Sequence, residues 1–438
     1  MEFIINENYM YIECLNDIEF YNKLEGYLDE GYSINETIYL AVELKRDNSY
    51  ILLNHIHIDK LDDNIKEAIK NKYREYEILY PDYSDTLLNI ISGIRKNYGC
   101  EAKYQIDDTI FDRKYKNIVI LILDGLGTNV LKKNLEETDF LRKNYYKDVN
   151  SIYPSTTAAA TTSIISGLTP YESGWTGWQN YIKELNKNIV LFNGKDYYKD
   201  EFTGVTGYNK MPYKPFFSDI NVPGEIIQPD FKTSKRDLKD LLKRSLKSLK
   251  KRKSNIQYIY HTEPDSMMHM LGTGTKEIKD LLKSINKDIE EYASRLPKDT
   301  LLIVSADHGH VDVEPLYFAD CKILMNMLNR RPSNDGRCAT FSVKDEYKGQ
   351  FEKLFNQLFK NVYKLYKAED AIKLGFFGNR NDIKHERIDD FLADYVAVAT
   401  NKYYFEMHPI AEVEIKFKSH HAGITKEEMK VPVILFKR

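Results

Sequence analysis

Between about residue 110 and residue 310 the chain alternates short β-rich apolar runs with longer amphipathic stretches. This alternation constrains the fold more than any other feature. The runs are Ile118–Leu123, Ile256–Tyr260 and Leu301–Ser305. Leu238, Leu241, Leu242, Leu246 and Leu249 precede the second run at helical spacing. Ile278, Leu281, Leu282, Ile285, Ile289 and Tyr292 separate the second from the third in the same way. Strand, helix and strand in succession predict an α/β fold with a parallel sheet.

The chain has 438 residues, 42% hydrophobic and 29% charged, enough to bury a sizeable core. A formal net charge of -3 provides no overall field that would draw it onto nucleic acid or an anionic membrane, so no binding of a nucleic-acid duplex is expected. The basic run at 247–253 sits where an amphipathic helix ends, a place that suits cations. No apolar run approaches the roughly 20 residues of a membrane helix. The first residues lack the basic and apolar regions of a secretory leader, so a cytoplasmic chain is expected. Cys14, Cys100, Cys321 and Cys338 are scattered, which argues against a disulfide framework or a thiolate zinc site.

Each of the three runs ends in groups that carry chemistry. The first is followed by Asp124-Gly125-Leu126-Gly127, the second by His261 through His269 with Asp265 four residues before His269, and the third by Asp307-His308-Gly309-His310. Open α/β sheets bind ligands beyond the carboxyl ends of their strands, so the three motifs are expected to converge on one crevice. Buried carboxylates are costly to ionise without a counter-charge, and Asp with His is a donor set that divalent metals accept. Each motif by itself also has an ordinary structural reading as a cap, a turn or a surface hydrogen bond. Their joint position at strand ends is what points to metal.

A fourth segment, Tyr153-Pro154-Ser155-Thr156-Thr157, runs into small residues ending at Gly167 and reads as a helix that begins near Thr156 or Thr157. Simple capping would explain the hydroxyls. A hydroxyl placed there, however, faces free N–H groups and the positive end of the helix dipole, where both an alkoxide and the phosphate it attacks are stabilised.

These pieces together resemble the alkaline phosphatase superfamily, and within it the type I phosphodiesterase/nucleotide pyrophosphatase branch and its relative phosphonoacetate hydrolase. The carriers are Leu123-Asp124-Gly125, Pro154-Ser155-Thr156-Thr157, Glu263 through Gly272, Asp307-His308-Gly309 and His421-Ala422-Gly423-Ile424-Thr425, in matching order. The resemblance implies a three-layer α/β/α sandwich. It also implies two divalent ions, zinc or manganese, the first held by Asp124, Thr157, Asp307 and His308, the second by Asp265, His269 and His421. Thr157, third after the proline, is preferred to Thr156 as the nucleophile of a phosphothreonine route. His421 is preferred to His420 by the alignment of Gly423 and Thr425. Asn180, Trp178 and Arg337 are candidate substrate contacts, and Trp175 with Trp178 would pack against an apolar or base-like substituent. His261 and His310, which flank the motifs, are expected to be structural or to support the ligands.

On this reading the chain is a two-metal hydrolase of phosphodiester or pyrophosphate bonds acting on a small phosphoester or nucleotide. A phosphomonoesterase, a phosphonate hydrolase, an inactive metal-containing scaffold and a Rossmann-type nucleotide binder are the alternatives. The last lacks the third glycine of its fingerprint, since position 130 is Val. Sulfatase chemistry is disfavoured because the nucleophile segment lacks the Cys/Ser-x-Pro-x-Arg pattern. The expected organisation is an extension over 1–75, a catalytic core over 76–315 and 416–438, and an inserted α+β cap over 316–415. The cap is read from strand-like Cys338–Val343, helix-like Gly349–Phe359 and strand-like Asp394–Ala399.

Overall fold

A computed structural model describes residues 2–6, 9–14, 17–38, 41–47, 49–55, 76–230, 237–252, 254–359 and 362–438. The core sheet has six strands: β1 (Asn117–Leu123), β2 (Tyr145–Asn150), β3 (Gly224–Ile227), β4 (Asn255–His261), β5 (Thr300–Ser305) and β6 (Lys430–Lys437), in the order β3-β4-β1-β5-β6-β2. The neighbours among β3, β4, β1 and β5 are parallel, and β6 runs antiparallel to both β5 and β2. All residues of β1 and β5 are buried, which is why these strands read as unbroken apolar runs and not as alternating ones.

Helices α1 (Thr157–Ser166), α2 (Leu238–Lys251), α3 (Asp265–Leu271) and α4 (Lys276–Ser294) connect these strands. The links β3 to β4 through α2, and β4 to β5 through α4, advance across the sheet in one direction. Right-handed crossovers therefore place both helices on the same face, where they pack on each other. The link from β2 back to β3 runs the other way and puts α1 on the opposite face, beside the helix Leu87–Asn97. The result is the expected α/β/α sandwich.

A second six-stranded sheet is wholly antiparallel and follows the order Tyr363–Lys367, Tyr395–Ala399, Cys338–Phe341, Ser333–Asp335, Gln179–Ile182, Lys187–Val190. The last two strands come from a hairpin that follows α1, outside the segment 316–415 expected to form the cap. Within the segment expected to form the cap, a helix spans Lys348–Phe359 and buries Phe351, Phe355 and Phe359 in an aromatic cluster with Phe341 and Phe405. Near the N-terminus, five strands between Glu2 and His55 and the helix Asp17–Asp29 form a sheet of their own. Among the described residues no helix is long and apolar enough to cross a membrane.

Candidate active site

The strand order sets β4, β1 and β5 side by side, so the three sequence motifs emerge next to each other at their carboxyl ends. Backbone bonds fasten the loops: Asp124 N–H donates to His261 O at 2.9 Å and Asp265 N–H to Asp124 O at 3.0 Å. Gly125 adopts φ +72°, and a Cβ there would lie 2.8 Å from the His310 ring, so this turn requires glycine. The late histidines reach the site because Val311–Asp312 pairs with Ser419–His420 as a short antiparallel ladder. The nucleophile loop is tied to them where Ala422 N–H donates to Ser155 O at 2.8 Å.

Two groups of potential ligands result: Asp124, Asp307 and His308 in one, and Asp265, His269, His310 and His421 in the other, with the donor atoms of each group within 4.8 Å of one another. In the first group His308 Nε2 lies 3.3 Å from Asp124 Oδ1. Asp307 Oδ1 accepts from the N–H groups of Gly125 and His308 at 3.1 and 3.0 Å, while its Oδ2 is buried with no hydrogen-bond partner. Tyr260 O–H donates to Asp124 Oδ2. Burial, with the charges of Asp307 and Asp265, pushes the Asp124 carboxyl well above its ordinary range, and burial also raises Asp307. Burial opposes ionisation of Asp265 as well, but the imidazoles of His269 and His310 outweigh it and hold this carboxyl well below the usual value. Two buried carboxylates and a half-buried third, with one oxygen unpartnered, are a donor set that fits divalent cations, whose charge removes the mutual repulsion.

Thr157 opens α1, and its Oγ1 lies 3.2 Å from His308 Nε2 and 3.5 Å from Asp124 Oδ1. Thr156 points elsewhere: its hydroxyl donates to Asp335 Oδ2 at 3.0 Å. Thr156 makes no capping bond to the helix, so the first-turn N–H groups lack a side-chain acceptor from this residue. A cavity of about 390 Å³ adjoins Thr157 and the second group, within the range of small-molecule sites. Trp178, Tyr197, Asp335, Glu406, Phe417 and His420 contribute to its wall, and no Lys or Arg does among the described residues.

The structure brings Asp124, Thr157, Asp265, His269, Asp307, His308 and His421 together in two adjoining groups, with Thr157, Asp265, His269 and His421 lining the cavity, and separates them from three other expectations. Arg337 is not a cavity residue: it is fully buried and forks onto Glu428 at 2.6 and 2.7 Å, so its charge is already matched inside the protein. Asn180 is buried and donates to Thr176 Oγ1 at 2.8 Å, away from the cavity wall. Of the two tryptophans, Trp178 is 39% exposed at the cavity, whereas Trp175 is a core residue whose ring N–H donates to Met211 O. His261 lies outside both ligand groups, and burial lowers it to about 4.

Sequence reasoning missed Asp335 and Tyr260, and His310, expected to be structural or to support the ligands, stands against Asp265 in the second group. Asp335 meets Thr156 across 179 positions, and no local pattern announces that contact. Tyr260 ends the second apolar run beside His261, a position at the strand end that makes it a neighbour of Asp124.

Fold and site together define a class: an alkaline phosphatase-like sandwich with clustered Asp and His at its strand ends. The model of the type I phosphodiesterase/nucleotide pyrophosphatase family matches residues 118–422, and the chain belongs to that family, one of metal-dependent phosphoester hydrolases. Murine ectonucleotide pyrophosphatase/phosphodiesterase 5 is a structural neighbour, with 16% identity and a TM-score of 0.55 over 73% of this chain and 88% of that one. An inactive threonine-to-alanine variant of the murine protein in complex with AMP aligns at 16% identity and a TM-score of 0.53, covering 72% and 87%. Phosphonoacetate hydrolase from Sinorhizobium meliloti 1021, in complex with phosphonoformate, aligns at 14% identity and 0.53, covering 74% and 92%. No curated protein matches the chain by sequence.

Proposed function

We propose that this protein hydrolyses phosphodiester or nucleotide pyrophosphate bonds by way of a phosphothreonine at Thr157. The observation that carries the reading is the Thr157 hydroxyl, which faces His308 and Asp124 at the start of α1 and borders a cavity with no Lys or Arg among its described lining residues. Asp124, Thr157, Asp307 and His308 would hold one cation, zinc or manganese, and Asp265, His269 and His421 the other. Bound there, divalent cations lower the proton affinity of the Thr157 oxygen and of water and neutralise charge on the transferred group.

Thr157 gives up its hydroxyl proton to solvent as Oγ1 attacks phosphorus, the bond to the leaving group breaks, and the leaving oxygen takes a proton from solvent. Water then attacks the phosphothreonine, and Thr157 leaves and regains its proton. Free N–H groups of the first turn of α1 face the phosphoryl oxygens in both steps. A monoester dianion carries one charge more than a diester, and enzymes that prefer it generally add a fixed cation beside the nucleophile. The absence of Lys and Arg from the described cavity wall therefore supports the diester reading, and Trp178 offers an apolar face to a base or similar substituent. The murine neighbour's complex with AMP supports a nucleotide-related ligand, and its inactive threonine variant supports a threonine nucleophile.

The test compares kcat/KM for p-nitrophenyl phosphate, a p-nitrophenyl phosphodiester and a nucleoside-derived diester under identical metal loading. Diesters are expected to be preferred. A monoester advantage of about 100-fold, roughly 2.7 kcal/mol in transition-state binding, would reverse the substrate assignment.

A further inference from the structure

We propose that His310 supplies a third imidazole to the second cation, which then has four protein donors: Asp265, His269, His310 and His421. The inference rests on the two-cation reading and adds to it a ligand that the family motifs do not contain.

His310 stands two residues beyond His308, yet the two rings serve different groups. His308 Nε2 faces Asp124, whereas His310 Nε2 lies 2.6 Å from Asp265 Oδ1, and His310 is completely buried. The bond on its other nitrogen decides what Nε2 can offer. Nδ1 lies 3.0 Å from Ser419 Oγ, and the Ser419 hydroxyl donates to Met268 O at 2.7 Å. With its one proton directed there, Ser419 Oγ accepts from His310, so the ring carries its hydrogen on Nδ1. The neutral ring then presents a lone pair at Nε2 to a carboxylate oxygen. Two acceptors at that distance repel unless a positive charge lies with them.

His269 and His421 repeat the arrangement. Their Nδ1 atoms lie 2.9 Å from Ser419 O and 3.1 Å from Ser155 O, carbonyl oxygens that can only accept, and their Nε2 atoms face the same Asp265 oxygen at 3.3 and 3.6 Å. Three lone-pair nitrogens thus converge on one carboxylate oxygen. A proton would satisfy one ring, whereas a single divalent cation satisfies all three. The outward Nδ1–H bonds are those that orient ligating histidines at metal sites. His420 is the contrast: its Nδ1 accepts from the His421 N–H at 2.8 Å, and it falls outside the group.

Four protein donors fill a tetrahedral set, so water or a phosphoryl oxygen would enter as a fifth donor, while the first group keeps the nucleophile among its donors. The alternative role for His310 is that of a positioning residue that holds Asp265 by a hydrogen bond and never touches the cation. The full chain, labelled with 15N at histidine and loaded with 113Cd, separates the two by NMR, because only a ligating ring nitrogen shows coupling to cadmium. Four coupled histidine nitrogens are expected: His308 on one cadmium, and His269, His310 and His421 on the other. The His310→Gln variant identifies its signal by loss and is expected to bind the second equivalent at least tenfold more weakly in a competition with a chelator. Three coupled nitrogens with His310 uncoupled, or unchanged cadmium affinity in His310→Gln, would overturn this proposal and leave the two-cation reading standing. A wild-type chain that binds no cadmium would overturn that reading itself.

Discussion

Replacing Arg337 by Met tests whether this residue braces the site or touches substrate. Arg337 and Glu428 are both fully buried, and the guanidinium also donates to Asn401 O at 2.7 Å and Tyr403 O at 2.5 Å. Glu428 in turn accepts from Gly423 N–H at 2.7 Å and Thr425 Oγ1 at 2.7 Å, so the pair fastens the loop that follows His421 to the second sheet. Methionine fills the stem but leaves Glu428 without its counter-charge and takes the guanidinium donor away from two carbonyls. Breaking a buried pair in this way costs about 3–5 kcal/mol. At roughly 2 °C per kcal/mol, thermal denaturation should show Tm lower by about 6–10 °C. Adding Glu428→Gln should recover part of that loss, because the stranded charge is gone. A Tm within about 1 °C of wild type, together with a KM raised tenfold or more, would refute the argument and return Arg337 to the substrate.

Thr157→Ala should lower turnover of a diester by on the order of 10³, about 4 kcal/mol of barrier, whereas Thr156→Ala, which removes a bond to Asp335, should cost about tenfold or less; steady-state kinetics showing the reverse would shift the nucleophile by one residue. Elemental analysis of protein purified without chelator should find two equivalents of zinc or manganese. Fewer than half an equivalent, with no activity restored by added metal, would remove the site assignment. Burial raises the Asp335 carboxyl to about 6, so the folded metal-free protein holds a proton that the unfolded chain has released above about pH 4. Its contribution to stability is therefore lost as pH rises from about 4 to about 6, by up to about 3 kcal/mol. Asp335→Asn should gain on wild type over that window in urea titrations, and a difference independent of pH would contradict the assignment.

What the sequence made legible follows from burial. The three central strands carry apolar runs because both faces are covered, and their ends carry the chemistry because that is where parallel strands open. The remaining core strands were hidden for physical reasons. Tyr145–Asn150 lies at the sheet edge with mixed exposure, and Lys430–Lys437 carries Pro432 inside a strand that joins the sheet in the opposite sense. The second sheet could not be read locally either, because it joins Gln179 to Asn334 across a long stretch of chain. Arg337 looked available for substrate because Glu428, its partner 91 positions later, has no pattern that marks it. His310 looked secondary because the neighbouring motif already accounted for its segment.

The most direct test of the central claim is the stereochemical course at phosphorus. A phosphorothioate diester of defined configuration, hydrolysed in 18O-labelled water by the metal-loaded protein, passes through two in-line displacements if Thr157 is the nucleophile. Each displacement inverts, so the product is expected to retain configuration. Net inversion would mean that water attacks the substrate directly, and that Thr157 forms no covalent intermediate.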